Sequence, residues 1–153
     1  MILSTTCYIQ KDGKTLMLYR NKKKNDINKN KWIGLGGKFE TGESPEQCLV
    51  REIKEEVGVT LTEFKLRGVL TFLTTEILDN PYYVFVYTAT EFIGEIGVCD
   101  EGTLEWVDTD KIVDLELWEG DRLFWKWVKE EQFFSAYFKY EADVLVEQAV
   151  TFY

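Results

Sequence analysis

Histidine is absent from the chain. That absence excludes Ser-His-Asp and Cys-His nucleophilic sites, and any zinc site built with imidazole. A metal bound here must be held largely by oxygen, which favours Mg²⁺ or Mn²⁺ over softer ions. Cysteine is scarce: Cys7, Cys48 and Cys99 are odd in number, widely spaced and without a CxxC pair. A disulfide framework is therefore not expected, and a reducing, cytoplasmic setting is. No run approaches the roughly 18 apolar residues of a membrane span, and the opening MILSTTCYIQ lacks the charged start and apolar stretch of a secretory leader. Basic charge is also in deficit, with 18 Lys and Arg against 27 Asp and Glu, a net charge of −9. Such a chain lacks the cationic surface that drives binding to a nucleic-acid polymer. A small polyanion arriving with its own metal remains compatible with it. Nothing in the sequence bears on the oligomeric state.

What is present suits one folded domain over residues 1–153. Apolar residues make up 45 % and aromatics 15 %, enough for a substantial core. β-prone runs at 3–9 and 15–20 flank Asp12-Gly13, a strong hairpin signal. A polar loop, NKKKNDINKNK at 21–31, precedes Trp32 and the glycine-rich GLGG at 34–37. A helix then has both ends marked: Ser44 as N-cap, Pro45 at the first position, Gln47 completing a capping box and Gly58 as the stop. Strands are expected near 64–74, 82–90 and 105–107, with a turn at 79–81 and a second helix over about 120–132. The C-terminus reads as two strands joined at 141–143. The fold class is α/β (α+β), with a mixed sheet.

The first helix poses the main question. It crowds Glu52, Glu55 and Glu56 into an arc of roughly 100°, where like charges repel. Leu49, Val50, Ile53 and Val57 fill the neighbouring arc and form the core-facing stripe. The carboxylates therefore lie at the margin of the buried face. They read either as a solvated acidic face or as a divalent-cation site, since a cation turns mutual repulsion into shared attraction. Their position at the core margin, just after a glycine-rich turn, favours the cation. Gly34, Gly36 and Gly37 would let backbone approach a ligand closely, or form only a tight turn. Glu43 and Arg51 are placed to pair as a clamp on the loop.

The stretch from Gly37 to Val59 resembles the Nudix box: glycine, five residues, Glu, seven residues, then Arg-Glu-aliphatic-x-Glu-Glu-x-Gly-aliphatic. Gly37, Glu43, Arg51, Glu52, Ile53, Glu55, Glu56, Gly58 and Val59 fill its specified positions. The resemblance implies an α/β/α sandwich and a hydrolase of nucleoside diphosphate derivatives that uses Mg²⁺ or Mn²⁺. Glu52, Glu55, Glu56 and the Gly37 carbonyl then become the metal ligands. Glu101, in CDEGTLEWV, is the candidate for a further carboxylate from outside the box. Family members differ over the general base, and Glu55, Glu56 and Glu101 are all candidates.

Outside the box, KWIGLGGKFETGE, DEGTLEWV, LWEGDRLFW and SAYFKYEADVLVEQ are similar to the Nudix enzymes that clear oxidised purine nucleoside triphosphates. That similarity implies 8-oxo-dGTP as a substrate, cleaved to the monophosphate and pyrophosphate. Trp118 would stack on the base, Phe72 and Tyr140 would line the pocket, and Arg20 would approach the phosphates. Two positions differ. Ile33 stands where that subgroup has an asparagine that hydrogen-bonds the purine. Gly120-Asp121 replaces a pair of aspartates, so Asp121 alone remains to read a base edge. The alternatives are a Nudix hydrolase of another nucleotide (an ordinary dNTP or a nucleotide sugar) and a non-catalytic nucleotide sensor.

Overall fold

The computed structural model describes residues 1–153, apart from the side chain of Ile77. Eight strands form one mixed sheet: β1 (Ile2–Lys11), β2 (Lys14–Tyr19), β3 (Trp32–Ile33), β4 (Thr60–Thr74), β5 (Tyr82–Ile93), β6 (Thr103–Asp108), β7 (Phe134–Glu141) and β8 (Val144–Phe152). Its order is β3-β2-β1-β5-β4-β7-β8, with β6 paired to β2. β1 runs parallel to β5 and β4 parallel to β7, while the other pairings are antiparallel. Helices α1 (Pro45–Val57) and α2 (Glu119–Lys129) cover the sheet.

Alternation along the strands assigns each helix to its own face. On β1, Cys7 and Ile9 pack with Leu49, Ile53 and Val57 of α1. Tyr8, between them, packs with Phe124, Trp125 and Val128 of α2. The same switch recurs on β2, where Leu16 and Leu18 join the first cluster and Met17 the second. Helix–sheet–helix layering follows, as in the sandwich the resemblance implies.

The expected elements are present, with differences at their margins. Asp12 and Gly13 both have positive φ (53° and 75°), the turn geometry that matches strand twist. β4 begins four residues earlier than the apolar run suggests. α2 ends at Lys129 rather than near 132, because Glu131 has φ 55° and leaves the helix. Two 3-10 turns, Thr75–Ile77 and Thr109–Asp114, and the two-residue β3 have no counterpart in the sequence pattern. Among the described residues, no helix is long and apolar enough to cross a membrane.

One irregularity of the sheet positions the site. β1 and β2 pair only from Ile9↔Leu16 to Lys11↔Lys14, next to their turn. Beyond it they diverge. β2 pairs instead with Trp32 and Ile33, while β1 takes up Leu35 and Lys38 through isolated bridges. The glycine-rich stretch is thus wedged into the split and forms the floor of a cavity at the sheet's open end.

Candidate active site

Helix α1 is held at both ends as its sequence dictates. Ser44 Oγ accepts the Gln47 N–H at 3.1 Å, Gln47 Oε1 accepts the Ser44 N–H at 2.9 Å, and Gly58 closes the helix at φ 82°. The three glutamates are graded by helical angle. Glu56 lies beside Leu49 and is the most enclosed, whereas the Glu52 and Glu55 side chains are 17 % and 59 % exposed. Glu52 and Glu56 line a cavity of about 650 Å³ together with Glu101, while Glu55 stays outside it.

Arg51 organises the outer carboxylates. Its Nε and Nη2 donate to the two oxygens of Glu43, Nη2 also to the Lys38 carbonyl at 3.0 Å, and Nη1 to Glu52 at 2.9 Å and Glu55 at 3.2 Å. The guanidinium hydrogen bond holds the Glu43 carboxyl down to about 2. Glu43 in turn accepts the Glu40 N–H at 3.0 Å, so the pair fixes the loop between glycine stretch and helix. A lysine cannot reproduce this planar fork. Arg51→Lys is expected to lower the melting temperature by roughly 3–6 °C, and kcat by about tenfold. Calorimetry and steady-state assays would measure both, and a variant matching the wild type in each would remove the clamp role.

Glu56 is the anomalous group. Its Oε2 is buried and, among the described residues, has no hydrogen-bond partner. Burial, then the charges of Glu101 and Glu52, push its carboxyl up to about 8, against smaller opposing effects of the Gly36 N–H and Arg20. Glu101 faces it from the 100–102 turn, paired with Arg20 Nη1 at 3.2 Å and Lys23 Nζ at 3.3 Å. Among the described residues, no three acidic or cysteine side chains converge closely enough to hold a metal as they stand. Each of the others is paired with a cation: Arg51 holds Glu52 and Glu55, and Arg20 and Lys23 hold Glu101. The donor set nonetheless suits a hard cation, with several carboxylates around one buried, unpartnered carboxyl oxygen.

The Gly37 carbonyl does not join them. It accepts the Thr5 N–H at 2.9 Å and faces the Cys48 thiol at 3.6 Å. Leu35 likewise bonds β1, through Cys7, with both its N–H and its carbonyl. In an extended strand the backbone groups between two such residues point the other way. Alternation thus turns the Gly36 N–H and carbonyl away from β1, consistent with the Gly36 N–H acting on Glu56, while the Gly37 Cα lies against the Glu52 carboxylate.

The far end of the cavity is aromatic. Ile33, Phe72, Trp118 and Asp121 line it, and Arg20, paired with Glu101, lines the same cavity. Trp118 precedes α2 and is 3 % exposed, with Phe72 edge-on at 5.2 Å and the Lys31 ammonium 4.7 Å from its ring centre. Burial pushes the Asp121 carboxyl up to about 7, opposed by Lys31. Tyr140 is set differently from its expected place: it is wholly buried behind the lining, edge-on to Trp118 at 4.8 Å, and its hydroxyl accepts the Gly120 N–H at 2.7 Å. This contact explains the single aspartate. A Cβ on Gly120 would fall 2.5 Å from the Phe138 ring and 2.7 Å from the Tyr140 hydroxyl, so no second acid fits.

Sequence reasoning did not single out Gly36 among its glycines, and it missed Cys48 beneath Gly37 and four cavity residues of the polar loop, Asn25 and Ile27 with the pair Asp26 and Asn28. The Asp26-x-Asn28 spacing, which suits a local side-chain-to-backbone turn, was the one available signal for the last pair.

Three comparisons bear on this arrangement. The NUDIX domain model matches residues 2–133. The chain is 34 % identical over 149 residues to the oxidized purine nucleoside triphosphate hydrolase of Danio rerio, covering 95 % of this chain and 91 % of that protein. Over 60 residues it is 61 % identical to the 8-oxo-dGTP diphosphatase of Escherichia coli, covering 39 % of this chain and 44 % of that protein. The crystal structure of the mutator MutT protein from Bacillus halodurans superposes with a TM-score of 0.86 at 26 % identity, covering 98 % of this chain and 97 % of that one. With the full box set on a capped helix at the mouth of such a cavity, the chain belongs to the NUDIX domain family.

Proposed function

We propose that this hydrolase converts oxidised purine nucleoside triphosphates such as 8-oxo-dGTP to the monophosphate and pyrophosphate, with residues 1–153 acting as one domain in the cytoplasm. The observation that carries this reading is a single cavity joining two chemistries: the Glu52, Glu56 and Glu101 carboxylates at one end, and Trp118, Phe72 and Asp121 at the other. The names of the zebrafish and Escherichia coli relatives support the substrate class.

Nudix hydrolases depend generally on a divalent metal. Here Glu52, Glu56, Glu101 and the Gly36 carbonyl, in place of Gly37, would hold Mg²⁺ or Mn²⁺. When bound, such a cation neutralises phosphate oxygens and acidifies the attacking water. Glu56 or Glu101 would take the water's proton. Glu55 acts at a remove, through Arg51. Arg20 meets the phosphates, and Asp121 reads the edge of a base packed among the aromatic side chains.

A second reading keeps the chemistry and changes the base, because Ile33 and Gly120 remove two hydrogen-bonding groups from the pocket. The test is kcat/KM for 8-oxo-dGTP against dGTP in Mg²⁺, with products identified. A preference of at least about tenfold for the oxidised base, releasing pyrophosphate, is expected. Equal rates, or none with either, would overturn the oxidised-purine reading.

A further inference from the structure

The polar loop 21–31 is more ordered than its composition suggests. Its neck is closed by backbone bonds from the Arg20 N–H to the Lys31 carbonyl (3.0 Å) and from the Asn30 N–H to the Arg20 carbonyl (2.8 Å). Most of its residues are exposed, yet the Asp26 side chain is only 4 % exposed. A carboxylate so enclosed is costly unless paired. Asp26 Oδ2 accepts Arg20 Nε at 2.6 Å, and Oδ1 accepts the Asn28 N–H at 3.0 Å. Asn28 Oδ1 then accepts the indole N–H of Trp118 at 2.8 Å. Lys31, at the loop's closing end, lies over the same ring.

We infer that Asp26 is a positioning residue that ties the two ends of the cavity together, holding Arg20 toward Glu101 and, through Asn28, fixing the ring of Trp118. A residue that merely pinned the loop would need only loop backbone as partner. Asp26 instead spends one oxygen on a guanidinium that faces Glu101, and the other on the residue that grips the indole. Asp26, Asn28, Arg20 and Trp118 all line the cavity. The carboxylate is needed as such, because both its contacts are accepted bonds. An amide has one acceptor oxygen and would lose one of them. The inference rests on the aromatic end being the nucleobase site proposed above.

The test needs no turnover. ¹⁵N-labelled protein gives one indole N–H resonance per tryptophan, and Trp118→Phe assigns the relevant one. Asp26→Ala and Asn28→Ala should both displace the Trp118 resonance, and Asn28→Asp, which keeps an acceptor oxygen, should return it. Titration with 8-oxo-dGMP in metal-free buffer should show binding weakened about tenfold by either alanine, the loss of one organised hydrogen bond. Asn28→Asp should lie within about twofold of wild type, and the double alanine variant should be no weaker than Asp26→Ala alone. A Trp118 resonance unmoved by Asp26→Ala, or alanine effects that simply multiply, would overturn the link. A wild-type protein that binds no 8-oxo-dGMP, but whose Trp118 resonance still moves in Asp26→Ala, would overturn the purine reading and leave the link standing.

Discussion

Replacing Glu56 by glutamine is expected to cost at least about 10³-fold in kcat while raising the melting temperature of the metal-free protein at pH 8. The two effects share one cause. Glu56 Oε2 is buried without a partner among the described residues, beside the charges of Glu52 and Glu101. Folding therefore raises the carboxyl from its ordinary 4.5 to about 8. A folded state that keeps a proton the unfolded chain releases loses stability as pH rises between those values, and stays at the lower level above them. Glutamine is neutral throughout, so the variant should keep only the shallower fall that Asp121, itself raised to about 7, gives both proteins. Near pH 5 the two proteins should melt together, and at pH 8 the variant should melt a few degrees higher. Added Mg²⁺ should lift the wild type at pH 8 by mass action and the variant much less. Calorimetry in chelator at the two pH values, beside turnover assays in Mg²⁺, measures all of this. An active variant would remove Glu56 from the chemistry, and a variant less stable than wild type at pH 8 would show that its burial is not the strain described. Retained nucleotide binding with lost turnover would also separate an enzyme from a sensor.

How much of this was legible beforehand follows from what each feature depends on. The ends of α1 were readable because Ser44, Pro45, Gln47 and Gly58 act within a few residues of themselves. The Asp12-Gly13 hairpin was readable for the same reason. The glutamate grading was half readable: helical angle puts Glu56 nearest the core, but the hold on Glu55 needs Arg51 in its folded position. The orientation of the glycine stretch could not be read at all. Whether Gly36 or Gly37 faces the helix depends on which of them bonds Thr5, and so on β1 leaving β2 after Leu16. Tyr140 carried an aromatic pattern that suits lining and backing equally, and only the Gly120 contact decides between them. Asp26 looked like one more charge in a polar loop, because its partners Arg20 and, through Asn28, Trp118 come from far apart in the chain. Local chemistry was legible, and groups brought together by the split in the sheet were not.

That split makes Gly36→Ala the second large effect. Gly36 has φ 154°, a backbone conformation that residues with a Cβ rarely adopt, and a Cβ there would be driven into the Thr5 carbonyl of β1. Backbone cannot yield as a side-chain tip can, so the glycine strand would have to leave β1. Three bonds are then at risk: Thr5 N–H to the Gly37 carbonyl, and both bonds between Cys7 and Leu35. At about 1 kcal/mol each, with about 1–2 kcal/mol for the backbone strain, the loss is roughly 4 kcal/mol. That is a large fraction of the ~5–15 kcal/mol holding a typical domain together. Gly42→Ala supplies the control: its φ is 84°, but no atom of the described residues lies within 4 Å of the added Cβ, so only the strain should appear. Urea unfolding should thus shift the Gly36→Ala midpoint far more than that of Gly42→Ala. Activity should separate them further. Gly36 is the residue whose backbone faces Glu56, so any Gly36→Ala protein that does fold should lose kcat beyond the fraction unfolded, while Gly42→Ala keeps wild-type turnover per folded molecule. Equal midpoints for the two variants would mean that the wedge of residues 32–38 between β1 and β2 is loose enough to absorb a methyl group. The cavity floor would then be too soft to set the geometry of the carboxylates above it.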